Sequence, residues 1–297
     1  MSSFVLKVLA CVFMTIDHVG EFIPNMPVEL RWIGRIASPI FIFLVGWSCE
    51  FTHNRKRYLL RLYIASVIMS VIQGGLLISN NVFTNLFQTA IIISLLSAPT
   101  VQRKARNIAL YTAYQIGLMG VIAGIDSAWT IPNTFAYPLS AITGSVLQLE
   151  GGLFYVLVGV VLWATREHKA VMSSAYIGMV AFYMLAYSDI GAHVIHSING
   201  HLMALSRGPS TLSFICNALL ELIGIDPLNV GGSLMTSNYL LITNYQWMMI
   251  FALPFMLLYN RQRGPRIKWF FYVYYPAHIV LLYGIGMLMG GTTSVLG

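Results

Sequence analysis

Residues 6–22 read LKVLACVFMTIDHVGEF, an apolar run interrupted by Lys7, Asp17, His18 and Glu21. A hydrocarbon layer about 30 Å thick is crossed by about 20 mainly apolar residues in helical form, and this run with its flanks fills 3–23. No cleavage pattern of a signal peptide follows it, so it reads as a retained helix. Working outward, eight further windows of the same kind fall at 30–51, 58–79, 82–98, 107–125, 146–165, 170–187, 239–258 and 269–289. The expected fold class is therefore all-α: a polytopic integral membrane helix bundle of about nine to ten transmembrane helices, built as a single domain over 1–297. Segment 188–238 stands apart. Its apolar run at 212–225 is too short to span, so the segment reads as an external loop with interfacial helices or as a re-entrant hairpin.

Composition agrees. Of 297 residues, 57% are apolar or aromatic and 9% are charged, against about 25% charged in soluble domains. Mean hydropathy is +0.73. An ordinary cytosolic globule is excluded, because only lipid can cover so much apolar surface. Three cysteines, Cys11, Cys49 and Cys216, lie in apolar stretches without CxxC or Cys/His spacing, so neither a disulfide framework nor a metal is expected. The net charge of +7 comes from clusters at 55–61, 103–106, 166–169 and 261–268, which hold 13 of the 17 lysines and arginines. With nine spans these clusters share one side, so the positive-inside rule places the amino terminus in the cytoplasm. The partner implied by the charge is the lipid bilayer rather than nucleic acid.

Ionisable residues inside spans are costly and mark functional candidates. Lys7, Cys11, Met14 and His18 repeat at helical spacing on one face, with Lys7 and His18 about 16 Å apart. Histidine suits general-base work; a packed interfacial histidine is the plainer reading. Asp17 points about 100° away from His18 and is placed to hold a neighbouring helix. In LRWIGRIASPIFIF, Arg31 and Arg35 face the same way and need anions, for which Asp17, Glu21 and Glu29 are nearest in sequence. Pro39 should kink that helix beside Arg35. His278 lies at mid-depth in the last span after Pro276, where function and packing are evenly balanced.

No GxSxG elbow, HExxH, Walker A loop or Rossmann glycine pattern is present. The runs LKVLACVFMTIDHVG (6–20), LRWIGRIASPIFIFLVGW (30–47), NRKRYLLRL (54–62) and FALPFMLLYNRQRGPRIKWFFYVYYPAHIVLLYGIG (251–286) together resemble the TraX family of bacterial membrane proteins. That family is known for acetylating the amino terminus of conjugative pilin, and is similar to a wider superfamily of transmembrane acyltransferases that use acyl-CoA and a first-helix histidine. The resemblance implies a catalytic His18 with Asp17 beside it, Arg35 in its GR-A-P-F-like motif, the loop Asn54, Arg55, Lys56 and Arg57, and His278 in a terminal Tyr-Pro-x-His. It also implies a bacterial inner-membrane location.

Physical chemistry makes acetyl-CoA a reasonable donor. Its phosphates need cationic inner loops, offered by Lys7, Arg55, Lys56, Arg57 and Lys268. Its thin pantetheine arm can pass between helices to deliver the thioester at His18, with Arg35 stabilising the oxyanion. The acceptor is then an amine or hydroxyl, the pilin amino terminus or a glycan or small molecule. Two rivals remain: a proton-coupled transporter using the same groups as a relay, disfavoured by the lack of matching half-sequences, and a noncatalytic pilus or conjugation assembly protein.

Overall fold

The computed structural model describes residues 1–206, 211–265 and 267–290, without the side chains of Ser206 and Lys268. It is helical, with no strand among the described residues. In chain order the helices are α1 (Ser3–Phe22), α2 (Glu29–Gly34), α3 (Ala37–Phe51), α4 (Arg55–Leu76), α5 (Val82–Leu96), α6 (Val101–Trp129) and α7 (Asn133–Thr143). Then come α8 (Gly152–Thr165), α9 (Lys169–Tyr187), α10 (Asp189–Ser206), α11 (Thr211–Ile223), α12 (Tyr245–Leu257) and α13 (Lys268–Leu288). Six stretches among the described residues are long and apolar enough to cross a membrane: α1, α2 with α3, α4, α6, α9 and α13 from Trp269. The protein is a multi-pass membrane protein.

The three other expected spans, 82–98, 146–165 and 239–258, are shorter helices, α5, α8 and α12. Their lengths have a reason. Ala90, Ile93, Val156, Val158, Leu162 and Met249 are almost wholly buried, so these helices face protein. A helix wrapped by other helices has its end groups satisfied by them and need not match the hydrocarbon thickness.

Pro39 lacks an N–H for the carbonyl of Arg35, four residues back, and the ladder breaks there between α2 and α3. The expected kink is thus a break at Arg35. A close approach holds α2 on α1: a Cβ on Gly34 would lie 2.1 Å from that of Asp17, so only glycine fits.

The basic clusters gather at one end. There the Met1 amino group donates to the Leu258 carbonyl, Ser3 N–H to Gln262 O at 2.8 Å, Arg263 to Phe51 O, and Lys169 Nζ to Leu257 O at 2.8 Å. Helix α4 leaves this end and α5 returns to it, which brings Arg103, Lys104 and Arg106 to the same side. Arg266 lies outside the described residues.

Segment 133–151 re-enters the bundle, which the sequence did not suggest. Helix α7 runs back along α4 from the level of Gly74 to that of Tyr63, whose hydroxyl donates to Ile142 O at 2.7 Å. The chain turns at Gly144, with φ +64°, and returns to bring Glu150 to the start of α5. A turn at membrane depth survives only if its backbone groups find protein partners. The amides of Gln88 and Gln115 both donate to Gly144 O, at 2.8 and 2.9 Å, and Gln115 Oε1 accepts the Val146 N–H at 3.0 Å. Replacing Gln115 with leucine should therefore release this turn and lower the melting temperature, where a lipid-facing site would tolerate leucine.

Segment 188–238 contains α10 and α11, joined side to side by Asn199 Nδ2 donating to Asn217 Oδ1 at 2.8 Å. Both ends of the pair rest on Tyr187, whose hydroxyl donates to Gly224 O at 2.8 Å and accepts the Asp226 N–H at 3.0 Å.

Candidate functional site

His18 and His278 meet in the interior, 4% and 7% exposed. Their rings stack with centroids 4.9 Å apart, and His18 Nδ1 lies 2.7 Å from His278 Nε2. The partners fix the tautomers of the neutral pair. His278 Nδ1 faces the Tyr274 carbonyl at 2.8 Å, which only accepts, so Nδ1 carries the proton and Nε2 accepts. His18 Nδ1–H is then the donor between the rings. That leaves His18 Nε2 unprotonated, as a base requires. Asn80 Nδ2 sits 3.4 Å from it, a long contact, while bonding both oxygens of Glu21 at 3.0 Å. Asn80 Oδ1 is buried with no partner among the described residues.

Asp17 turns the other way, as its position on the helix predicted. Its carboxylate takes two bonds from Arg35, at 3.0 and 2.8 Å, and lies 3.2 Å from Arg31, which also pairs with Glu21. Glu29, the third anion suggested by sequence, is exposed. Arg35 also donates from Nη1 to Gln246 Oε1 and from Nε to Arg31 O, both at 3.3 Å. Arg35 is thus built into a charge lattice with Asp17, Arg31 and Glu21. Asp17, His18 and Glu21 place one ligating atom each within 4.8 Å of one another. Both carboxylates are already turned to arginines, so a cation there would meet two guanidiniums.

A cavity of about 550 Å³ runs from the basic end toward the histidines. Lys7, Cys11 and Met14 line it, in the predicted stripe, with Asn54, Arg57, Arg61 and Arg263 around its mouth. His18 lies one turn beyond Met14 and does not line it; Tyr275 closes that end, its ring 6.2 Å from that of His18. Of the residues assigned to a donor by sequence, Lys7, Asn54 and Arg57 face the cavity, and Asn54 also caps α4 through the Arg57 N–H at 3.0 Å. Arg55 instead donates to Cys49 O at 2.9 Å, Lys56 is exposed elsewhere, and the side chain of Lys268 lies outside the described residues. Arg61, Arg263 and Tyr275 were missed as site residues although each stood in a quoted motif or basic cluster. Asn80 and Glu150 were missed because they lie at helix ends, where polar residues are ordinary. Glu150 accepts the Asn81 N–H at 2.9 Å.

A second cavity, about 340 Å³, lies at the opposite end and is lined by Arg35, Gln246, Asn229, Asn244 and Tyr183, Tyr187, Tyr239 and Tyr245.

Two cavities at opposite ends of a multi-pass helical bundle, with a buried histidine pair between their levels, define a membrane protein with an internal polar site. Residues 2–225 match the model of the TraX protein family, and the chain belongs to that family. His278 lies beyond the matched residues. The chain is also similar to an uncharacterized protein of Rickettsia prowazekii (strain Madrid E), 46% identical over 43 residues, which is 14% of this chain and 17% of that relative. No solved structure matches it.

Proposed function

We propose that this protein is a membrane acetyltransferase of the bacterial inner membrane, moving an acetyl group from cytosolic acetyl-CoA to an amine or hydroxyl acceptor such as the amino terminus of a pilin. The observation that carries this reading is the His18 pair held in one tautomer near the closed end of a cavity that begins among basic residues. The phosphates of acetyl-CoA would sit at Arg57, Arg61 and Arg263, with the thioester directed toward Tyr275. The acceptor would come from the opposite end, and the orphan Asn80 Oδ1 offers it a hydrogen-bond partner. The acceptor's N–H or O–H proton passes to His18 Nε2 as its N or O bonds the acetyl carbon. The C–S bond then breaks, and the thiolate recovers the proton. The imidazolium formed meanwhile is stabilised by His278 Nε2 on one side and the nearby Glu21 carboxylate on the other.

Purified protein in lipid, given labelled acetyl-CoA and a short peptide with a free amino terminus, should release CoA thiol and yield acetylated peptide. A transporter or an assembly protein would leave the thioester intact. Replacing Arg57, Arg61 and Arg263 with glutamine should raise the KM for acetyl-CoA more than it lowers kcat. An unchanged KM in the inserted triple variant would return these residues to the role of topology signals. The orientation has its own check. In a Cys-free background, cysteine at 128 should react with an impermeant reagent from outside and cysteine at 104 should not.

A further inference from the structure

We propose that the Tyr275 hydroxyl donates the hydrogen bond that stabilises the oxyanion when the acetyl carbonyl is attacked, an inference that rests on the acetyl-transfer reading. Three independent observations converge on this residue. First, among the described residues Tyr275 alone both lines the basic-end cavity and stands in ring contact with both histidines, at centroid distances of 6.2 Å from His18 and 5.7 Å from His278. A thioester that travels up the cavity therefore reaches this side chain before it reaches the base.

Second, the hydroxyl is fixed. Its oxygen accepts the backbone N–H of Val82 at 3.1 Å, and Val82 is the first residue of α5. The N–H groups of a first turn have no partner within the helix and carry the positive end of its dipole. Accepting one of them pins the oxygen and draws electron density from it, which strengthens the O–H as a donor. Third, among the described residues no hydrogen bond takes the hydroxyl's proton, which leaves that donor to a ligand in the cavity that Tyr275 lines. The ring is 4% exposed, away from bulk water, where a preset donor stabilises developing charge most.

Arg35, the donor suggested by sequence, is engaged on every nitrogen by Asp17, Gln246 and Arg31. Tyr275 takes its place without any such partner having to be broken. The step balances as before: the hydroxyl proton stays on Tyr275 throughout, bonding the carbonyl oxygen as it gains charge, while the acceptor's proton passes through His18 to the departing thiolate.

The test is Tyr275→Phe in the full-length protein in lipid, with acetyl-CoA and the same peptide. The expected result is a kcat about 100-fold lower and a KM for acetyl-CoA within threefold of wild type. A kcat within threefold of wild type overturns the proposal. Because the variant also strips Val82 of its partner and could fail to fold, trifluorotyrosine at position 275 serves as the second measurement. It keeps both the ring and the Val82 bond but ionises at lower pH, so the alkaline limb of the kcat profile should move to lower pH. A limb that stays in place overturns the assignment whatever the phenylalanine variant does. Wild-type protein that cleaves no acetyl-CoA overturns the acetyl-transfer reading itself, a different failure, and removes the hydroxyl's role with it.

Discussion

His18→Gln is expected to lower acetyl transfer 100-fold or more, about 2.7 kcal/mol at 1.36 per decade, while leaving the protein inserted and folded. The geometry explains why glutamine is the sharp substitution. Its amide can still donate to His278 Nε2, now 2.7 Å from His18 Nδ1, and so preserve the contact between α1 and α13. It cannot take a proton. A histidine that only packs would tolerate the change, since neither ring needs to be charged for the bond between them. Kinetics with acetyl-CoA and melting in lipid measure the two sides separately. A loss of less than about tenfold, smaller than even a modest general-base contribution, would move the base to His278.

The membrane character and the stripe on α1 were legible because both depend on local periodicity. Lys7, Cys11 and Met14 share a face by helical geometry alone, and the same geometry turned Asp17 toward the arginines of the next span. Pro39 likewise announced the break at Arg35. What could not be read were distances through space. Nothing in the sequence joins Gln88 and Gln115 to one carbonyl 56 and 29 residues away, so hydropathy alone reads 133–145 as a plain link and 146–151 as the start of the next span. Hydropathy also overstates the length of α5, α8 and α12, because an apolar residue that meets lipid and one that meets protein look alike in sequence. The partners of the site were hidden for the same reason. Asn80 stands next to His18 across 62 residues, and Tyr275 looked like one more aromatic of an aromatic-rich helix.

Asp17 is where the family resemblance and the geometry give different expectations. Placed beside the catalytic histidine, it is implied to take part in chemistry; in the fold it balances two guanidiniums, sharing the task with Glu21 among the described residues. Asp17→Asn should therefore act on stability first. Arg31 and Arg35 would be left with one carboxylate between them on a helix that Gly34 holds tightly against α1. Removing one partner of a fully buried ion pair costs about 3–5 kcal/mol, and this cluster, with its arginine side chains 21% exposed and Glu21 still in place, should cost somewhat less. The single variant should be recovered in low yield from the membrane and melt well below wild type. Adding Arg35→Gln should restore most of the melting temperature, because glutamine and asparagine can bond each other without net charge, and the coupling between the two changes should be large and favourable. If Asp17→Asn instead melted like wild type and lost only transfer, the aspartate would belong to the chemistry and the charge-lattice account of α1 and α2 would fail.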